Sequence, residues 1–352
     1  MVRALCVYFR RLRAPTADLP HDRLEDVPLV SNVGIDCFGT YYVHDGLCTR
    51  QTKVTKKMWV LIVVCLTSRA IHLEMLPSLD TSAFRNALSR FSAVRGVSKL
   101  IRCDQGTNFL CARKQMLNPD VDSVISELQQ HQCEWKVNPA GASHFAGSWE
   151  RKIGSVKRVL DGSLLALGSR NLSRDEMSTL LQEAAAIVNN TPLTEVSVSP
   201  DDIFPLTPAT LLTFKLDPNP PSLENFTAQD LLSYGKRRWR RVQHLAQEFW
   251  KRWHSDYLTS LQKRHKWKIT KPCPVEGDVV LIKDKNLPRN AWSMGKIISV
   301  KRSDDNCVRS VTLLLPRLPN SAKPRTTTRC IQDLVILLPS KKHPCFETDS
   351  CP

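Results

Sequence analysis

Hydrophobic and polar positions follow two different periods along the chain. Val27–Tyr42 and Met58–Leu66 are apolar runs rich in β-branched residues and predict strands. Ala70–Leu76 predicts a third strand, joined to the second by a tight turn at Thr67-Ser68-Arg69. At Asp80 the period lengthens. Asp80-Thr81-Ser82 is followed by Phe84, Leu88 and Phe91 on one helical face, so a capped helix is expected up to Gly96. Lys99–Cys103 predicts a short strand that delivers Asp104 to its end, and a helical pattern near Val121–Gln132 leads to a strand at Glu134–Val137. Ser143 caps a helix running to about Leu167. Asp175–Asn189 is another, with Met177, Leu180, Leu181, Ala184 and Ile187 inward. Three meandering strands followed by alternating helices and strands predict a mixed α/β sheet.

The pattern then breaks at Lys215–Ser222, whose prolines can continue neither a helix nor a central strand. Ala228–Lys266 resumes as a helical stretch carrying Lys236-Arg-Arg-Trp-Arg-Arg241, then Trp250, Trp253 and Trp267. Four short β runs follow, Val279–Ile282, Gly295–Val300, Val311–Leu315 and Asp333–Leu338, separated by turn residues as in a small barrel. The tryptophans could stack nucleobases, although at helical spacing such residues more often pack a core.

Charge sharpens this division. The 352 residues hold 50 Lys and Arg against 34 Asp and Glu, a net of +16. Residues 1–225 carry 25 basic and 23 acidic side chains, whereas residues 226–352 carry 25 and 11. The excess is therefore concentrated in the last third, which points to a polyanion, of which nucleic acid is the commonest. The longest apolar run, Met58–Leu66, is far short of the roughly 20 residues of a membrane span, and no signal peptide is expected. The 12 cysteines are scattered, with no CxxC spacing, which implies a reducing compartment and neither a disulfide framework nor a zinc site.

Three acids stand out by placement. Asp36 lies inside the apolar strand Gly34-Ile-Asp-Cys-Phe38, where an ionised group is costly unless something pairs it. Asp104 ends the next strand, in Cys103-Asp-Gln-Gly-Thr-Asn-Phe109, and Glu150 lies in the first turns of the helix from Ser143. Carboxylates from two strands and a helix can converge, and hard oxygens at one point suit Mg²⁺. A metal pair there would drive in-line phosphoryl transfer. Singly, each acid also has a plainer reading: a paired core acid, a turn former and a solvated helix residue. His72 reads as a structural histidine. His144, in the first turn of the Glu150 helix, is open to an auxiliary role.

Gly34-Ile-Asp36, Cys103–Phe109 and Asn138-Pro with His144-Phe-Ala-Gly-Ser-Trp-Glu-Arg-Lys-Ile-Gly-Ser-Val-Lys157 resemble the integrase core of retroelements. Leu66–Glu74, Ser78-Leu-Asp-Thr81 and Pro192-Leu-Thr194 are similar to the Pao/BEL class of LTR retrotransposons, as are Trp239–Ala246, Phe249–Trp253, Gly277–Ile282, Asn286–Trp292 and Gly295-Lys296. The resemblance implies a ribonuclease-H-like core followed by a helical segment and a small SH3-like β-barrel. It implies a triad of Asp36, Asp104 and Glu150 holding two Mg²⁺ (or Mn²⁺) ions, for DNA 3′-end processing and strand transfer. Lys157 matches a family lysine that contacts DNA. With Arg158 and the run Lys236, Arg237, Arg238, Arg240 and Arg241 it forms the expected DNA contacts. The implied partners are retroelement ends, target DNA and further copies of the chain, with no membrane, and the implied location is the nucleus, or the cytoplasm before nuclear entry.

The expected organisation is a remnant of a zinc-module tail at 1–22, the catalytic core at 23–214, a linker at 215–227, a basic domain at 228–340 and a tail at 341–352. Three departures stand beside the resemblance. The 45 residues between Asp104 and Glu150 exceed the retroviral spacing, and Gln105 stands where Asn is usual. Cys6–Arg13 is similar to the end of a His/His/Cys/Cys zinc module, but Phe9 occupies the second Cys position and no His pair precedes it, so no zinc is expected. The alternative to an active integrase is therefore a catalytically inactive, host-resident DNA-binding relic. A ribonuclease acting on RNA–DNA hybrids would share the fold but has no use for the long basic tail.

Overall fold

The computed structural model describes residues 25, 27–44, 55–103, 133–137, 143–167, 172–195, 205–215, 226–232, 238–262, 274–284, 287–302, 308–315 and 325–340. They fall into two compact units: one built from the chain up to Asn189 with Asn225–Phe249, the other from Asn190–Glu224 with Trp250 onward. The zinc-module remnant and the 121–132 helix expected from sequence lie outside the described residues.

The first unit is organised around β1 (Asn32–His44), with β2 (Thr55–Cys65), β3 (Ile71–Leu76), β4 (Leu100–Cys103) and β5 (Glu134–Val137) beside it in the order β3-β2-β1-β4-β5. β1, β2 and β3 pair antiparallel, whereas β4 and β5 run parallel to β1. This mixed order is that of the ribonuclease-H-like fold. β1 begins at Asn32 rather than Val27, because Pro28 and Val30 (φ 68°) form a turn closed by the Ser31 amide on the Pro28 carbonyl. Gly39, at φ 131°, accompanies a register shift between Phe38 and Tyr41. Met58 and Val60–Cys65 are buried, as a central strand covered on both faces requires.

Helices cover the sheet. In α1 (Thr81–Arg95), Asp80 caps the first turn by accepting from the Ala83 amide, Phe84, Ala87, Leu88 and Phe91 are buried, and Gly96 (φ 86°) closes the end. α2 (Ser143–Leu164) buries Trp149, Ile153, Val156 and Leu160 along one face. β6 (Leu172–Ser173) pairs with the far end of β1 and leads into α3 (Arg174–Asn189). Ser173 and Glu176 form reciprocal side-chain to backbone bonds there, a capping box. The outer edge of β3 is closed by side chains. Asn189 bonds both the amide and the carbonyl of Ile71, Gln182 donates to Leu73 O at 3.0 Å, and Arg90 donates to Met75 O at 3.4 Å.

The second unit contains the short pair β7 (Thr194–Glu195) and β8 (Pro205–Leu206), and α4 (Pro208–Thr213) with Thr207 in a capping box. The long helix α5 (Arg238–Leu261) contributes its first half to the first unit and the rest to the second. A 3₁₀ turn at Ala228–Leu232 precedes it, and 233–237, within the helical stretch expected from Ala228, lie outside the described residues. β9 (Val279–Ile282), β10 (Met294–Arg302), β11 (Val308–Leu315), β12 (Arg325–Cys330) and β13 (Leu334–Leu338) form one antiparallel sheet in the order β12-β11-β10-β9-β13. That order, with a single 3₁₀ turn at Ile331–Asp333 before the last strand, is SH3-like. Val279 and Leu281 pack with Leu258 of α5, while Val280 and Ile282 face Ile297, Val311 and Leu313. A strand buried on both faces explains the unbroken apolar run. Among the described residues no helix is long and apolar enough to cross a membrane.

Candidate active site

Asp36 is the one half-exposed position in the otherwise buried stretch Asn32–Phe38, opposite Ile62 of β2. Its Oδ1 accepts the Cys37 amide at 2.7 Å. On the other side of β1, the parallel register with β4 ends at Ile35–Cys103. Asp104 follows Cys103 in the sequence and lies outside the described residues.

The helix that carries Glu150 meets this strand through the neighbouring Trp149. A Cβ built on Gly34 would lie 2.8 Å from the Cγ and Cδ2 atoms of Trp149. The indole therefore rests directly on the β1 backbone two residues before Asp36, and only glycine permits that approach. Trp149 is 2% exposed, and Glu150 follows it, half-buried, on α2. A second clasp lies further along both elements, where the Tyr41 hydroxyl donates to Asp161 at 2.6 Å. Burial, then that carboxylate, push the Tyr41 hydroxyl far above its ordinary value, so it remains a donor. Neither clasp was singled out from the sequence; the Gly34/Trp149 pairing spans 115 positions and becomes visible only once α2 lies on the sheet.

Electrostatics around the acids are uneven. Burial, then the Asp36 carboxylate and Cys103, push the Cys37 thiol far above its usual range, so it packs as a protonated group. Half-buried Lys152, two residues beyond Glu150, is pushed down to about 7 by desolvation and by Arg69 in the β2–β3 turn. Among the described residues no three His, Cys, Asp or Glu side chains gather as a metal-binding group. The donors present are nevertheless of the right kind: carboxylate oxygens on a strand and a helix, both rigid elements, suit Mg²⁺.

The expected DNA contacts divide into separate sets. Lys157 is half-buried on α2, seven residues after Glu150, and Arg158 is exposed, within 3.4 Å of Ser155 Oγ. Lys236 and Arg237 lie outside the described residues. Arg238 is half-buried and lines a cleft of about 830 Å³ over the β3 edge, together with Glu74, Arg90 and Gln182. Arg240 pairs with Asp230 at 2.8 Å. Arg241 is a correction: it is 2% exposed, with Nη1 3.5 Å from the equally buried Glu176. Helix periodicity turns it inward, and a guanidinium there reaches an acid rather than a phosphate. Trp250 and Trp253 are buried, Trp239 is 52% exposed, and Trp267 lies outside the described residues. His72 is buried, bonded to Glu74 at 3.0 Å and packed against Phe91, as a structural histidine should be. The side chain of His144 lies outside the described set.

Residues 237–337 match a family described as "Family of unknown function (DUF5641)". No curated protein matches the sequence. The structural neighbours are retroviral integrases. The HTLV-2 integrase catalytic core domain in complex with magnesium, in its trimeric form, is 14% identical over 49% of this chain and 93% of that one, with a TM-score of 0.32. Its dimeric form is 15% identical over 49% and 95%, with a TM-score of 0.31. The simian T-cell lymphotropic virus intasome in complex with PP2A regulatory subunit B56 gamma is 12% identical over 93% and 85%, with a TM-score of 0.36. The fold assignment rests on the strand order and register of the two sheets, not on these superpositions.

Proposed function

We propose that this chain is a retroelement-type integrase of the Pao/BEL class, which processes DNA 3′ ends and transfers them to target DNA. The observation that carries this reading is the seating of Trp149 on Gly34. It brings the helix of Glu150 against the strand of Asp36, on which β4 also ends one residue before Asp104. Asp36, Asp104 and Glu150 are the proposed metal ligands. Bound Mg²⁺ or Mn²⁺, as a pair, would polarise the scissile phosphodiester and activate the attacking oxygen.

The chain's own residues then have defined tasks. Asp36, paired with Ile62 of β2 and one residue past the end of the β4 register, holds one carboxylate in place within a buried stretch. Glu150 presents a second from a helix clasped to β1 by Trp149 and by Asp161. Lys157 and Arg158 offer cations for DNA phosphates along the same helix. In processing, water displaces the terminal nucleotides and leaves a free 3′-OH. In transfer, that hydroxyl attacks a target phosphodiester and the target's own 3′ oxygen departs, so bonds made and broken balance without an energy-rich cofactor. Action in the nucleus and self-assembly on DNA complete the proposal.

The test is strand transfer by the purified chain on short duplexes with Mg²⁺ or Mn²⁺. Asp36→Asn, Asp104→Asn and Glu150→Gln should each reduce product by at least about 10²-fold while leaving DNA retention nearly unchanged. A second reading, a DNA-binding relic, is favoured by Phe9 at the place of a zinc-ligating Cys. Wild-type chain that binds DNA yet forms no product with either metal would establish it.

A further inference from the structure

The basic run at the start of α5 contains one residue that the DNA-binding reading leaves unused. Trp239 is 52% exposed, whereas Trp250 and Trp253 of the same helix are each 2% exposed. Leaving about half of so large an apolar side chain in water forgoes much of its burial energy, and this exposure falls within a basic run. The side chain is also held. Its ring meets Phe226 edge to face, with centroids 5.7 Å apart and planes at 80°. Phe226 is fixed in turn by Arg240, whose guanidinium lies 5.5 Å from the Phe226 centroid and 2.8 Å from Asp230. A perpendicular contact sets the tilt of the indole while using little of its area.

The surroundings select the ligand. Arg238 precedes Trp239 and Arg240 follows it, with Lys236 and Arg237 just upstream in the sequence. A fixed, exposed π surface among cations suits a nucleobase attached to phosphates: the base supplies the stacking partner and the cations take the backbone. A base inside an intact duplex already has both faces covered. The fitting ligand is therefore an unpaired base, at a frayed or overhanging DNA end.

We infer that Trp239 is a base-stacking residue that takes an unpaired DNA base, with Arg238 beside it for the adjoining phosphate. This rests on the DNA-binding reading above and adds a contact that duplex recognition does not need.

The experiment uses the full chain and two probes of one sequence, a single-stranded oligonucleotide and a blunt duplex, each carrying a terminal 2-aminopurine, at fixed salt. Trp239→Leu should weaken binding of the single strand by about tenfold and abolish 2-aminopurine quenching, while duplex affinity changes by less than about twofold. Trp239→Phe, which keeps an aromatic ring, should retain most of both signals, and it carries the test if Trp239→Leu melts early. Unchanged single-strand affinity and quenching in Trp239→Leu, or an equal loss on both probes, would overturn the stacking role while DNA binding stands. So would retained DNA binding with loss of self-association, which would make Trp239 a protein contact. Wild-type chain that binds neither probe removes the DNA-binding reading itself, and the stacking role with it.

Discussion

Gly34 has no side chain to contribute, and that is its function. Gly34→Ala would put a Cβ 2.8 Å from the Trp149 indole. It should cost about 1–3 kcal/mol through overpacking and lower strand transfer by shifting α2, as read from denaturant unfolding beside activity. Trp149→Ala should cost about 3–5 kcal/mol. If Asp36, Asp104 and Glu150 converge as proposed, Asp36→Asn should behave in the opposite way, losing activity with little or no loss of stability, because it removes charge where carboxylates would repel. The thiols offer an independent check. Cys37 and Cys103 are buried, and Cys37 is held protonated by burial and by Asp36, whereas Cys330 is exposed. Alkylation at neutral pH followed by peptide mapping should label Cys330 in the native chain and leave Cys37 and Cys103 untouched until unfolding.

At the scale of elements, the β3 edge and the aromatic cluster of α5 make distinct predictions. Asn189 satisfies both backbone groups of Ile71, at 2.7 and 2.9 Å, so Asn189→Ala strands two buried polar groups. A loss of about 1–3 kcal/mol is expected, together with concentration-dependent association as the edge opens. In the second unit, Trp250, His254, Tyr257 and Trp292 pack with ring centroids 4.9–5.4 Å apart. Burial lowers the His254 pKa from its ordinary 6.5, against the opposing pull of Asp284. The folded state therefore binds this proton less readily than the unfolded chain. Its contribution is complete above about pH 6.5 and is lost as pH falls below that value. Thermal midpoints measured from pH 8 to 5 should fall less steeply in His254→Gln than in wild type. Asp80, whose carboxyl is held low by Ser78 and by the Ala83 amide, caps α1. Its contribution is instead present above the ordinary carboxylate range and lost as pH drops below about 4; Asp80→Ala should remove about 1 kcal/mol of it.

For the whole molecule, the net charge of +16 would make the proposed DNA affinity a function of ionic strength. If six or more phosphates are engaged, binding should fall about 10³-fold or more between roughly 50 and 200 mM salt, and a flat salt profile would refute a phosphate-dominated interface. Much of the architecture was legible because it is local: the Asp80 cap, the Gly96 stop, the apolar run of β2 and the misplaced acid in β1 each announce themselves within a few residues. What was not legible depends on distant partners. β12, Arg325-Thr-Thr-Thr-Arg-Cys330, has no apolar alternation and is a strand because its backbone pairs with β11. Arg241 belongs by sequence to a basic run and by structure to Glu176, 65 positions earlier. Gly34 belongs to Trp149 in the same sense, and this pairing has a genetic consequence. Every amino-acid replacement at Gly34 adds at least a Cβ against the indole, so selection for the folded core acts there through shape instead of chemistry. If the proposed function holds, related sequences under no selection should change at positions 34, 36 and 150 alike, those selected for strand transfer should keep all three, and those retained only for a folded core should keep glycine at 34 while the acids decay.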